Sequence, residues 1–176
     1  MNKIKQIDIR WIVALILLLA VSRLIPHPPN FTPLATMAIL AGCLLRQLRI
    51  ALVIPLTAML LSDLVLGLHS SMIFVYSAFV MITISCRWLL TKLTVRAVTV
   101  SVIWATAVFF LTTNFGAWLS HDMYPPTLAG LSMAYIAGLP FLVNSLLGNI
   151  FFMLSSILAL NTISSADRYV NSRRLG

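Results

Sequence analysis

Six long apolar runs make up most of this sequence, and none of them carries more than one charged residue. Runs this continuous do not alternate as barrel strands do. They call for helices in lipid, where each segment must satisfy its own backbone N–H and C=O groups. Helices are expected over about 11–25, 33–45, 50–66, 72–90, 97–119 and 132–160, by apolar length. The reading is an all-α membrane protein, a six-transmembrane-helix bundle forming a single domain over residues 1–176.

Composition closes off the soluble alternative. The chain is 60% hydrophobic and 9% charged, too little charge to clothe a soluble domain of 176 residues. It has no glutamate, and its four acids (Asp8, Asp63, Asp122 and Asp167) face twelve Lys and Arg. A net charge of +8 suits nucleic acid in other settings, but here the basic residues sit mostly in short gaps between apolar runs. That is a topology signal, and no nucleic-acid face is expected. The first run follows Lys3, Lys5 and Arg10 like a signal peptide. No small-residue cleavage site follows it, only Ile25-Pro26-His27-Pro28-Pro29, so it is read as a retained helix.

Basic residues also orient the chain. Lys3, Lys5 and Arg10 precede the first run, and Arg46 and Arg49 separate the second from the third. Arg87, Lys92 and Arg96 join the fourth to the fifth, and Arg168, Arg173 and Arg174 follow the sixth. With six spans all four groups share one face, leaving Arg23 near the other. The positive-inside rule makes that shared face cytoplasmic, with both termini on it. Trp11 and Trp88 then lie at the inner interface, and Trp118 and Tyr124 at the outer one. The membrane is expected to be the bacterial cytoplasmic (inner) membrane.

On this map the versatile side chains gather on the outer half. His27, His69 and His121 fall in the three outer loops. Asp63 lies one helical turn before Gly67, Asn114 in the outward part of the fifth helix, and Tyr76 and Tyr135 near the starts of the fourth and sixth. A few polar groups converging on an apolar cavity make a ligand pocket. A carboxylate within a span needs a partner or water. For Asp63 that is an ion pair with Arg23, clamping the first and third helices, contact with a ligand, or both. His27, in the stiff Pro26-His27-Pro28-Pro29-Asn30 segment, is either a held imidazole or part of a plain loop. His69 and the His121-Asp122 pair share no ligand spacing with it, so no zinc pattern emerges.

Cys43 and Cys86 fall near the inner ends of their helices, where they read as packing residues in a reducing compartment. No nucleophilic triad spacing, HExxH or phosphate loop is present. An ATP-driven step would need other subunits. Small residues at four-residue spacing, Ala38 with Gly42 and Gly130 with Ala134 and Gly138, allow close helix approach.

Three strings carry a family resemblance: Ser22-Arg23-Leu24-Ile25-Pro26-His27-Pro28-Pro29-Asn30-Phe31-Thr32-Pro33, Leu61-Ser62-Asp63-Leu64 and Tyr135-Ile136-Ala137-Gly138-Leu139-Pro140-Phe141. They resemble a family of small bacterial membrane proteins that is itself similar to the substrate-binding S-components of ECF transporters. The resemblance implies an S-component-like bundle that takes up a vitamin-like solute, with cobalamin as the substrate of the nearest solitary relatives. His27 and Asp63 match the histidine and aspartate of that cobalt-facing pocket, which makes His27 a candidate ligand of a cobalt carried by the substrate. No intrinsic cofactor is implied. The cysteine that removes cyanide in those relatives has no counterpart here, since Tyr76 stands near its place. The first helix, Ala14-Leu15-Ile16-Leu17-Leu18-Leu19-Ala20, also lacks the Ala-x-x-x-Ala motif used to dock on energising transporter subunits.

The leading expectation is therefore a binding protein for a small solute, with the lipid bilayer and that solute as its partners. Its expected contacts are Arg23, His27, Asn30, Asp63, His69, Tyr76, Asn114, His121 and Tyr135. A structural scaffold without a ligand is the alternative. An intramembrane enzyme using Asp63 with His27 or His69 as acid and base is the second.

Overall fold

The computed structural model describes residues 8–90, 94–120 and 123–174, with side chains to residue 165. They form six helices: α1 Ile9–Ser22, α2 Leu34–Leu44, α3 Leu48–Leu66, α4 Met72–Leu89, α5 Val95–Ser120 and α6 Leu128–Arg174. No strand occurs among the described residues. Four helices are long and apolar enough to cross a bilayer: α3, α4, α5, and α6 through Ser165. The first two, expected over 11–25 and the short run 33–45, fall outside that set. α1 has 14 residues and α2 only 11, short of the ~20 that a bilayer core asks of a helix along its normal.

Local chemistry explains the ends. Asp8 caps α1 by accepting from the Arg10 backbone N–H at 2.9 Å. The Arg10 guanidinium, 2.7 Å away, holds the Asp8 carboxyl below its ordinary pKa. α1 stops at Ser22 rather than Ile25, because Pro26 pushes the residue before it out of the helical region. Gly67 ends α3 at φ 105°, its N–H bonded to the Asp63 carbonyl at 2.8 Å. That conformation costs glycine little.

α2 is the centre of the bundle. Every residue from Leu34 to Gly42 is buried, as expected of a helix apolar on all sides. It packs on α1, α3, α4, α5 and α6. Its approach to α4 is closest at Gly42, where an added Cβ would collide with the Thr83 carbonyl oxygen. The lower end of α2 is closed by Arg87 of α4, which donates to the Leu45 carbonyl at 3.0 Å and to the Arg46 carbonyl. These carbonyls lie just beyond a helix that supplies no further N–H of its own. Arg87→Met is expected to lower stability by about 1–2 kcal/mol, measured as the unfolding midpoint of the purified protein in detergent.

Asn149 pins the middle of the bundle. It is buried on α6, its side-chain amide donates to Thr106 Oγ1 of α5 at 3.0 Å, and its backbone carbonyl accepts from the Thr36 hydroxyl of α2 at 3.2 Å. Lipid gives helices no hydrophobic reason to associate, so such bonds and close packing hold them together. The outside of the bundle carries the complementary feature. Leu18, Leu61, Val65, Ile73, Trp88 and Leu158 are all more than half exposed, an apolar surface far beyond what a soluble monomer shows.

α6 departs most from expectation. It begins at Leu128, runs unbroken through Pro140 and continues to Arg174, 47 residues in all. At ~1.5 Å per residue that is ~70 Å, more than twice the ~30 Å hydrocarbon core. Gly138-Leu139-Pro140 lies within it.

Candidate functional site

Contacts between helix termini define two ends of the bundle. At one lie the ends of α1, α3 and α5 and the beginnings of α4 and α6. There Arg23 meets Asp63, Tyr76 meets Asp63, Phe74 packs on Phe115, and Tyr135 bonds the Leu111 carbonyl. At the other, Arg87 bonds the end of α2 and Trp104 donates to Ser85. A cavity of about 490 Å³ lies at the first end, within the size range of small-ligand sites.

Its floor is the proline-rich connection between α1 and α2, exposed from Pro26 to Asn30 and drawn into the bundle from Phe31. The Phe31 ring lies 5.8 Å from those of Phe151 and Phe152, and Asn144 of α6 donates to the Pro29 carbonyl at 3.0 Å. α2 therefore starts near mid-depth, where Thr36 reaches Asn149. Four prolines (Pro26, Pro28, Pro29 and Pro33) and Asn30 make the descent possible. Prolines carry no N–H to leave unsatisfied, and Asn30 takes φ 61°, a left-handed conformation that asparagine tolerates better than most residues. Irregular backbone at this depth is stable because it lines a cavity and is held by protein.

Arg23, His27, Asn30 and Thr32 line the cavity from the α1 side, with Leu34 at the first turn of α2. His69, Ser71 and Val75 come from the α3–α4 connection and the start of α4. α5 contributes Phe109, Thr113, Asn114 and Ala117, and Tyr124 follows it. α6 supplies Ala134, Ala137, Gly138 and Phe141. Gly138 lets α6 close on Asn114, whose side chain occupies the space where a Cβ would stand. Asn114 itself donates to the Phe110 carbonyl at 2.8 Å.

Behind Arg23 stands a polar knot. The guanidinium donates to an Asp63 carboxylate oxygen at 2.7 Å and to the Ser62 hydroxyl. Tyr76 donates to the second Asp63 oxygen at 2.8 Å. The Arg23 side chain is 10% exposed and that of Asp63 3%. The expected ion pair of Asp63 with Arg23 is present, tying α1 to α3 and, through Tyr76, to α4. Both carboxylate oxygens are engaged, which leaves Asp63 poorly placed for proton transfer to a substrate.

The residues expected at the site thus separate. Arg23, His27, Asn30, His69 and Asn114 reach the cavity wall together. Asp63 and Tyr76 sit behind it. Tyr135 turns aside, donating to the Leu111 carbonyl at 2.8 Å and packing on Phe110. His121, with Asp122, lies outside the described residues. His27 Nδ1 is 3.0 Å from the Pro28 carbonyl and His69 Nδ1 is 3.0 Å from the Ser71 hydroxyl. A His27 donating from Nδ1 keeps Nε2 as its acceptor, the form in which an imidazole binds a metal. Among the described residues, no three His, Cys, Asp or Glu side chains come together to hold a metal ion. Cys43 and Cys86 are free thiols.

Sequence reasoning missed Thr32, Ser71 and Thr113 on the wall, and the Thr36–Asn149–Thr106 layer. Hydroxyls are common in apolar helices, where they bond the carbonyl one turn back, so their presence in a run says little about a site. Asn149 was the readable signal, a carboxamide inside an apolar run.

A protein-family model described as "Family of unknown function (DUF6580)" matches residues 4–168. No curated protein and no solved structure matches the chain.

Proposed function

We propose that this chain, which belongs to the DUF6580 family of unknown function, is a membrane-embedded binding protein for the uptake of a small, vitamin-like solute. The observation that carries this reading is the cavity of about 490 Å³, a mixed polar and apolar pocket at one end of the bundle. The S-component resemblance points the same way.

The charges orient it. Arg46, Arg49, Arg87 and Arg96 belong to the end away from the cavity, and Arg23 is at the cavity end. By the positive-inside rule the cavity opens outward and the basic end faces the cytoplasm, in a bacterial cytoplasmic membrane with six membrane-embedded helices. α1 and α2 do not need full spans in this arrangement, because the connection between them is the floor of the pocket. Capture from outside then comes first, and release inward requires the floor or the Arg23 knot to move. Without Ala-x-x-x-Ala on α1, a solitary mode is favoured over docking on energising subunits.

The volume argues for a compact solute. A whole corrinoid is far larger than this cavity, so cobalamin, coordinated through His27, would need the pocket to widen.

The test is thermal unfolding of the purified full chain against a panel of vitamins that includes several cobalamins. A ligand bound only by the folded state stabilises it by about 2.7 kcal/mol at a hundredfold excess over its dissociation constant. Ala137, on the cavity wall and exposed, is the position to block. Ala137→Phe is expected to fold normally and to abolish the shift. A cobalamin shift lost in His27→Ala would support His27 as the ligand of its cobalt. A folded protein that responds to no solute would instead favour the scaffold reading.

A further inference from the structure

Resting on the reading of the cavity as a solute-binding site, we infer that its solute is an organic anion, held by a carboxylate or a comparable acidic group at the Arg23 end of the pocket.

The wall has a sign. Among the described residues that line it, the chargeable groups are Arg23, His27, His69 and Tyr124, and no carboxylate is present. Asp63 does not cancel Arg23 from the ligand's side. It lies behind the guanidinium, 3% exposed, and spends its two oxygens on Arg23 and Tyr76. The ion pair is thus a fixed dipole with its positive end toward the cavity. Arg23 has five N–H donors, of which the bonds to Asp63 and Ser62 use two.

The backbone adds to this field. The first turns of α2 and α4 reach the wall through Leu34, Ser71 and Val75. Neither helix has a side-chain cap; the Pro33 carbonyl accepts from Met37 and the Ser71 carbonyl from Phe74 and Val75. The positive end of each helix dipole lies toward the cavity region. Of the C-terminal ends on this side, α3 contributes no side chain to the wall and the end of α1 is where Arg23 itself sits, while α5 reaches the wall as far as Ala117, three residues before its end. The sign of the wall therefore rests on the Arg23 guanidinium. Discontinuous helices whose N-termini meet anionic groups at membrane depth are an established way to bind acidic solutes. Here α2, short and starting near mid-depth, has that form. The apolar side, Phe109, Val75 and Phe141, suits the hydrocarbon body of such an acid.

The experiment compares acid and neutral partners of matched shape on the full-length protein in detergent. The probes are nicotinate against nicotinamide, pantothenate against panthenol, and biotin against biotin amide, read by thermal unfolding and isothermal titration. At least one acid is expected to bind about ten- to a hundredfold more tightly than its neutral partner, the worth of one charge-assisted hydrogen bond. That binding should be absent in Ala137→Phe, and the acid preference should vanish in Arg23→Gln. Arg23 also clamps α1 to α3, so this variant could fail to fold. The acid–neutral comparison in the unmodified chain then decides alone. Neutral partners binding as well as or better than their acids, with binding lost in Ala137→Phe, would overturn the anion inference and leave the binding site standing. No binding by either member of any pair, in a folded protein, would overturn both.

Discussion

Asp63→Ala is expected to be the most damaging single substitution in the described structure, lowering stability by about 3–5 kcal/mol. The carboxylate is buried at the junction of α1, α3 and α4, and its removal leaves the Arg23 guanidinium and the Tyr76 hydroxyl facing an empty site. The cost is that of a charge stranded in a poorly solvated place rather than the net worth of the pair. Removing both partners together should therefore hurt much less. Arg23→Met with Asp63→Leu is expected to recover most of the loss, because a well-packed apolar pair often equals or exceeds a buried ion pair. Asp63→Asn, which keeps an acceptor for one of the two donors, should fall between. The measurement is a double-mutant cycle on unfolding in detergent. Single and double losses that simply add would mean that the pair contributes no coupling and that the knot is not what joins these helices.

Gly42→Val is expected to be the second most damaging, at about 3 kcal/mol, near the upper end for overpacking a close contact. The reason is local. A Cβ at this position meets the carbonyl oxygen of Thr83, a backbone atom in mid-helix that cannot rotate aside. Relief requires α2 to move away from α4, and α2 is enclosed on every side. Gly138 makes the useful contrast. There the obstructing group is the Asn114 side chain, which can turn. Gly138→Ala should cost little stability and act instead on the cavity, where both residues stand. Unfolding of the two variants, compared with ligand binding by the second, separates a packing role from a site role. Equal stability losses at both positions would contradict this assignment.

Much of the architecture was legible in the residues. Continuous apolar runs with almost no charge demand helices in lipid, because no other open structure satisfies the backbone there. The four longest helices follow directly. The pairing of Arg23 with Asp63 was legible for the same reason: an intramembrane carboxylate has few places to go. Helix ends were less readable. α1 was expected to reach Ile25 and stops at Ser22, and α6 was expected over 132–160 and extends from Leu128 to Arg174 with Pro140 inside it. A proline inside a helix leaves one carbonyl without its N–H partner, and neighbouring elements decide whether that is tolerated.

The sequence alone determined the solvent this protein folds in, its helical class, the segregation of basic residues from the versatile ones, and the need for Asp63 to have a partner. Each follows from the transfer cost of single groups, which one residue and its near neighbours decide. Tertiary structure alone decided which residues share a level and a face. It anchored the α1–α2 connection through Phe31, enclosed the 11-residue α2, put Asp63 and Tyr76 behind the wall while His27, His69 and Asn114 stayed on it, and turned Tyr135 away. Those outcomes depend on which helix faces which, through contacts such as Gly42 on Thr83, Phe31 on Phe151 and Asn149 on Thr106. Pairings of this kind are made between residues distant in the chain, and no local property of either partner specifies them.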